Sequence, residues 1–226
     1  MPIAWLWHNA MNSNCSQFFI RALDIVGASV LLILFAPLLA ISVLCVMLED
    51  GTPLLYRQRR IGKGGRPFMI LKIRSMQAGS AGATVTASGD RRVTKTGAWL
   101  RRLKVDELPQ LFNVLRGDMS LIGPRPEVPE YVALQEEVWR KVLEVRPGIT
   151  DLASLAFRDE EAILGPCSDP ETYYRIVILP EKLRLNLWYQ RTRSLALDLK
   201  LLWLTARYSF FPHGFSRGRV LRSLGC

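Results

Sequence analysis

The apolar positions change character along the chain, and each change predicts a different element. From Ile25 to Leu48 no residue is charged and most are aliphatic (IVGASVLLILFAPLLAISVLCVML). In helical form this run reaches about 36 Å, enough to cover the roughly 30 Å hydrocarbon core of a bilayer, so it predicts a membrane helix. Pro37 lies in its middle, where it removes a backbone hydrogen bond and clashes with the preceding turn. A kinked spanning helix and a helix broken at Pro37, turned back so that both ends share one face, both satisfy that constraint. A cleaved secretory signal fits less well, because the run is long and a single Arg precedes it.

Shorter patterns follow. Asp50-Gly51-Thr52-Pro53 reads as a turn, and PLLYRQRRI and RPFMILKI, separated by Gly62-Lys63-Gly64-Gly65, read as a hairpin. Residues 77–92 are small and polar and read as a mobile surface loop. Ala98 to Leu115 carries helical spacing with a kink or fresh start near Pro109, and Glu130 to Val145 reads as a helix ended by Pro147-Gly148. Pro124, Pro126 and Pro129 enforce an extended path between them. Pro180 to Phe211 predicts one or two helices, with Leu195, Leu199, Leu202, Trp203 and Tyr208 on a face at the membrane interface and Lys200 and Arg207 snorkelling. The fold class is therefore α/β mixed, helix-rich with a small hairpin or sheet. Three stretches divide the chain: residues 1–50 with the membrane helix, a catalytic domain at 51–211, and a basic tail at 212–226.

Charge narrows the partners. Thirty Lys and Arg stand against twenty Asp and Glu, a net charge of +10 that calls for an anionic partner. Only Arg21 of those thirty precedes Arg57, so the positive-inside rule puts everything after the apolar run on the cytoplasmic side. The aromatic residues are scattered and the apolar run is long, which argues against a nucleic-acid binder. The cysteines, Cys15, Cys45, Cys167 and Cys226, lack metal-ligand or disulfide spacing, and His8 and His213 stand alone. Walker A and GxGxxG patterns are absent, which excludes those nucleotide cradles.

The central block holds the chemistry. Asp106 and Glu107 follow Arg101, Arg102 and Lys104, so adjacent positive charge favours an ionised carboxylate suited to nucleophilic attack or to a hard cation. A helix cap or a surface ion pair is the plainer reading. Gly117 to Pro126 (GDMSLIGPRP) places Arg125 in a rigid frame suited to forked phosphate recognition, or forms a turn with a solvated Arg.

These residues carry a resemblance. The string from Arg101 to Pro126 (RRLKVDELPQLFNVLRGDMSLIGPRP), with YRQRRIGKGGRPFMILKIRSM upstream, Arg146-Pro147-Gly148-Ile149-Thr150 and Leu197-Asp198-Leu199-Lys200, resembles the bacterial sugar transferases, monotopic phosphoglycosyl transferases in a minimal single-domain form. The resemblance implies a re-entrant N-terminal helix broken at a Ser-Pro pair, whose Ser is here Ala36, with both ends in the cytoplasm. It implies transfer of a phosphosugar from a UDP-sugar to polyprenol (undecaprenyl) phosphate, with release of UMP, as the first membrane step of exopolysaccharide, O-antigen, capsule or glycoprotein glycan assembly. Asp106 is then the nucleophile that forms a covalent aspartyl-phosphosugar, and Asp106 with Glu107 holds Mg²⁺. Lys72, Arg101, Arg125 and Arg158 match phosphate-contacting positions. After Pro-Gly-Ile-Thr the family has a Gly-rich stretch where this chain has Asp151 to Arg158 (DLASLAFR), which leaves the sugar unread. The expected location is the bacterial inner membrane with the catalytic domain on its cytoplasmic face; membrane lipid is a partner, nucleic acid is not, and a homodimer is allowed. A non-enzymatic membrane-anchored basic adaptor is the alternative function.

Overall fold

A computed structural model describes residues 14–79, 86, 88–211 and 214–225. Helix α1 (Asn14–Asp50) contains Pro37 within a single helix and is not broken there, contrary to what the resemblance implies. Strands β1 (Leu55–Ile61) and β2 (Pro67–Ile73) form the expected antiparallel hairpin, Leu55 opposite Ile73 and Ile61 opposite Pro67, around a tight turn at Lys63–Gly65. Then come α2 (Lys95–Leu103), a 3-10 turn (Val105–Glu107), α3 (Gln110–Arg116), β3 (Ser120–Ile122), α4 (Glu137–Val142), β4 (Gly148–Thr150) and α5 (Leu152–Ala156). The short α6 (Glu160–Leu164) and α7 (Pro170–Tyr173) lead through a π turn (Tyr174–Ile178) into α8 (Leu179–Thr192), α9 (Leu195–Phe210) and α10 (Arg217–Leu224). The mixed, helix-rich class holds, with one addition: β3 and β4 form a short parallel pair.

The fresh start expected near Pro109 is present: α2 ends at Leu103 and α3 begins at Gln110, directly after Pro109. Two further expectations need correction. The span expected to be helical from Glu130 to Val145 forms only a 3-10 turn at Pro129–Tyr131 and α4, because the start packs as a loop around buried Tyr131. On α9, Leu195, Leu199 and Trp203 are exposed as expected, whereas Tyr208 is buried against Phe215 and Arg207 lies 5.2 Å over the Trp203 ring. The basic tail forms a helix: α10 buries Val220 and Leu224 in the main core and sends Arg217 over the Phe157 ring at 4.2 Å. Of the polar 77–92 segment, residues 80–85 and 87 lie outside the described residues; its ends are tied, with Gln77 N–H donating to Arg92 O at 2.8 Å and Ser88 N–H to Glu161 O at 3.0 Å. His8, His213 and Cys226 also lie outside them.

The main core packs Trp139, Val142, Leu152, Leu164, Leu185, Tyr189 and Leu201 between α4, α5, α8 and α9. Asp198 locks α8 to α9, accepting from Tyr189 and from Arg193 at 3.0 Å. Two smaller clusters seat α1: Ala28 with Ile70, Leu111, Val114 and Met119 on one side of Pro37, and Val46 with Ile73, Leu100 and Val105 on the other. Polar bonds fix both ends of α1 to the same body. Arg21 donates to the carbonyls of Val114 and Leu115 at the end of α3, at 2.6 and 2.9 Å, and Asp24 accepts from Ser120 Oγ at 2.8 Å and Leu121 N–H at 2.9 Å. At the other end Glu49 accepts from the N–H groups of Lys95 and Thr96 at 2.8 Å each, satisfying the start of α2, and Asp50 pairs with Arg74 at 3.0 Å.

Asn113 joins α3 to the free edge of β2. Its Oδ1 accepts from Leu71 N–H at 3.1 Å and its Nδ2 donates to Met69 O at 2.8 Å, so the side chain does what a third strand would do. Asn113→Ala leaves a buried donor and acceptor unpaired and should cost about 2–4 kcal/mol. In a nanodisc preparation this should lower the thermal midpoint by roughly 5–15 °C; an unchanged midpoint would show that the edge of β2 is held by other contacts.

Candidate active site

The reactive turn is placed by a local reversal. Lys104 takes left-handed backbone with φ 59°, alone among the described non-glycine residues, and its N–H closes α2 on Leu100 O and Arg101 O. For a residue with a Cβ this costs on the order of 1–2 kcal/mol, so the surroundings must hold it in place. The turn that follows presses Asp106 and Glu107 against β2, with 5% and 9% of their surfaces exposed.

Glu107 is fully engaged. Its Oε1 accepts from Lys72 Nζ at 3.0 Å and from Arg125 Nη2, and its Oε2 accepts from Arg125 Nη1 at 3.1 Å. Burial works against its charge, but the Arg125 and Lys72 charges and the fork of hydrogen bonds overcome it and hold the carboxyl well below its usual range. The same burial pulls the Lys72 ammonium downward, with Glu107 opposing, while the Glu107 charge raises Arg125. The backbone that carries Arg125 is fixed: its main-chain N–H donates to Asp151 Oδ2 at 3.1 Å, and Gly123 and Gly148 bring β3 and β4 so close that a Cβ on either would meet backbone at under 2.5 Å.

Asp106 stands differently. Its Oδ1 is buried and has no hydrogen-bond partner. Burial raises its carboxyl above the usual range and the Glu107 charge adds to this, while Lys72, Lys104 and Arg101 pull the other way. A carboxylate kept short of partners is more basic than a solvated one, and so a better nucleophile toward phosphorus.

Arg101 and Arg158 line the same cavity, of about 1460 Å³, as Lys72, Asp106, Glu107 and Arg125. Neither touches the dyad: Arg101 binds Glu161, and Arg158 binds Asp159 at 2.9 Å. Sequence reading missed a further string of cavity residues. Arg60 lies 3.7 Å from Glu127, Tyr174 donates to Glu127 at 2.6 Å, and Lys182 donates to Tyr174 at 3.3 Å and pairs with Glu160. One signal was available, because Tyr56, Gln58 and Arg60 alternate on β1 on the face that carries Lys72 on β2. Nothing local marks Glu127, Tyr174 or Lys182. Opposite the polar residues the cavity wall is apolar, formed by Leu34, Phe35 and Leu38 of α1 and by Leu202 and Ala206 of α9.

The donor set fits a magnesium ion in one way. Among the described residues no three His, Cys, Asp or Glu gather into a cage. Asp106 Oδ1 is a free hard donor, whereas both oxygens of Glu107 are committed to cations. Magnesium commonly takes one or two carboxylates and completes its shell with substrate phosphates and water, which this site allows through Asp106.

A family comparison decides the class. The family described as bacterial sugar transferase matches residues 15–212. The chain belongs to that family. This sugar transferase is 40% identical over 190 residues to the UDP-glucose:undecaprenyl-phosphate glucose-1-phosphate transferase of Caulobacter vibrioides, covering 82% of this chain and 67% of that one. It is 39% identical over 197 residues to the UDP-N-acetylgalactosamine-undecaprenyl-phosphate N-acetylgalactosaminephosphotransferase of Aeromonas hydrophila, covering 84% of this chain but 43% of that one. The uncharacterized sugar transferase EpsL of Bacillus subtilis is 34% identical over 197 residues, with coverage of 87% and 90%. The transferase thus spans nearly all of one relative and less than half of another.

The dyad's two carboxylates should respond oppositely to neutralisation. Asp106→Asn removes a charge that burial disfavours, so its thermal midpoint should equal or exceed the parent's at neutral pH. Glu107→Gln strands Lys72 and Arg125, which are partly exposed, and should cost about 1–3 kcal/mol. Equal losses in both variants would refute this division.

Proposed function

We propose that this sugar transferase moves a phosphosugar from a UDP-sugar to polyprenol (undecaprenyl) phosphate, giving polyprenol-diphospho-sugar and UMP. The single observation that carries the reading is the unpartnered, buried carboxylate of Asp106 beside a clamped Lys72–Glu107–Arg125 cluster in one cavity. The activities named for the Caulobacter and Aeromonas relatives support it.

In this reading Lys72 and Arg125 bind the donor's diphosphate. An Asp106 oxygen attacks the β-phosphorus, the bond from that phosphorus to the bridging oxygen breaks, and its electron pair leaves with UMP. The phosphosugar is left on Asp106 as an acyl phosphate. A phosphate oxygen of the lipid acceptor then attacks the same phosphorus and frees the carboxylate, so charge returns to its starting place. Glu107 keeps both cations aimed and ionised throughout. Arg101 and Arg158 sit where they reach the rest of the donor. Magnesium, when bound at Asp106 and the phosphates, would neutralise diphosphate charge.

The lipid acceptor fits the cavity's apolar wall, since its chain needs a path from the bilayer to the dyad. A cavity of about 1460 Å³ exceeds the roughly 300–1,000 Å³ of an ordinary small-molecule site, which suits two substrates that meet there. The re-entrant reading of α1 is supported by its two ends, because Arg21 with Asp24 and Glu49 with Asp50 all bond to one globular body. A straight span would put those ends on opposite faces of the membrane. The chain then sits in the bacterial inner membrane with its catalytic body on the cytoplasmic face.

UMP release should appear in nanodiscs containing undecaprenyl phosphate and Mg²⁺ with at least one UDP-sugar, and Asp106→Asn should lower it by at least about 1,000-fold, as loss of a nucleophile does. Release that survives in the variant would remove Asp106 from the chemistry. No release with any donor would favour the membrane-anchored adaptor.

A further inference from the structure

Three cations on the cavity wall beyond the dyad each have a carboxylate of their own. Arg60 has Glu127, Lys182 has Glu160, and Arg158 has Asp159. Tyr174 sits between the first two pairs, donating to Glu127 at 2.6 Å and accepting from Lys182 at 3.3 Å. The pairs are sheltered, with Arg60, Glu127 and Lys182 side chains 18%, 11% and 9% exposed. The wall therefore presents alternating donors and acceptors with no net charge. At the dyad the balance differs: Lys72, Lys104, Arg101 and Arg125 face Asp106, Glu107 and Glu161, a surplus of one cation.

We propose that the wall of Arg60, Glu127, Tyr174, Lys182 and Glu160 is the subsite for the donor's sugar, and that its internal charge balance selects uncharged pyranoses and rejects uronic acids. The proposal rests on the phosphosugar-transfer reading. Electrostatics assign the two halves of the donor. The leaving UMP gains negative charge as the phosphorus–oxygen bond breaks, so it belongs at the cationic end, near Lys104 and Arg101. The sugar, which carries several hydroxyl groups that both donate and accept, belongs on the balanced wall, where each pair offers both. The wall connects to the attack point through Arg125, which is held by Glu107 and lies within the field of Glu127. The Phe157 ring, 6.0 Å from Lys182 Nζ, and the Tyr174 ring, paired with Tyr131 at 5.1 Å, add apolar surface for the C–H face of a pyranose.

A carboxylate on the sugar would find no unpaired cation there and would face Glu127 and Glu160, an uncompensated buried charge that a neutral donor avoids. Specificity would therefore come from pairing within the protein, and should relax when a pair is broken on its acidic side.

The test measures kcat/KM for a neutral UDP-hexose and for the matching UDP-uronic acid with the full chain in nanodiscs. The parent should favour the neutral donor by at least about 100-fold. Glu160→Gln, which leaves Lys182 unpaired, should narrow that ratio by about 10-fold or more. Asp159→Asn, which frees Arg158 at a more exposed pair, should move the ratio the same way if Glu160→Gln fails to fold. Comparable turnover of both donors by the parent, or ratios unmoved in both variants, would overturn the subsite. A parent that releases UMP from no donor would instead defeat the transfer reading on which the subsite depends.

Discussion

The structure turns on one buried carboxylate. Glu107 accepts from Lys72 on β2 and from Arg125 in the Pro-Arg-Pro segment, and so pins three stretches of chain that are far apart in sequence to one point. A buried ion pair of this kind is weak evidence for stability, since desolvation of the charges offsets most of their attraction. Its worth lies in placement. With Glu107 saturated, Lys72 and Arg125 are bonded in place beside Asp106, whose Oδ1 is left without a hydrogen-bond partner. One acid organises the cations and the neighbouring acid stays available. The two roles follow from environment alone, because the residues are adjacent in the chain and chemically alike.

The apolar helix is part of the same arrangement. Its Ala28 and Val46 sides pack against the hairpin, α2 and α3, and the carboxylate of Glu49 starts α2, the helix that ends at the reactive turn. The membrane anchor and the reactive turn are thus two ends of one packed unit. Ser42 Oγ donates to Leu38 O at 2.7 Å one turn beyond Pro37, a bond of the kind that bends helices. The exposed Leu195, Leu199 and Trp203 of α9 add a second apolar surface.

Much of this was legible in the residues because it depended on local chemistry. The hairpin could be read from Gly62 to Gly65 between two strand-like runs, and Asp106, Glu107 and Arg125 from a long contiguous string. The misreadings share a cause, which is that distant partners decide. Tyr208 has an interfacial residue's spacing, yet Phe215 from the tail covers it. The basic tail showed only its charges, although Val220 and Leu224 recur at a helical interval and find the core. The left-handed Lys104 that ends α2 has no glycine to mark it. Glu127, Tyr174 and Lys182 were invisible because their meaning lies in long-range pairing, from Arg60 to Glu127 and from Glu127 to Tyr174.

The central claim is that Asp106 carries the phosphosugar covalently. The most direct measurement is peptide mass spectrometry after acid quench of the protein with its UDP-sugar and Mg²⁺ in nanodiscs that lack lipid acceptor. The account predicts a sugar-phosphate adduct on the peptide that contains Asp106, lost when undecaprenyl phosphate is added. UMP release at full rate only when acceptor is present, with no adduct on that peptide at any quench time, would contradict it and place the transfer in a single direct step.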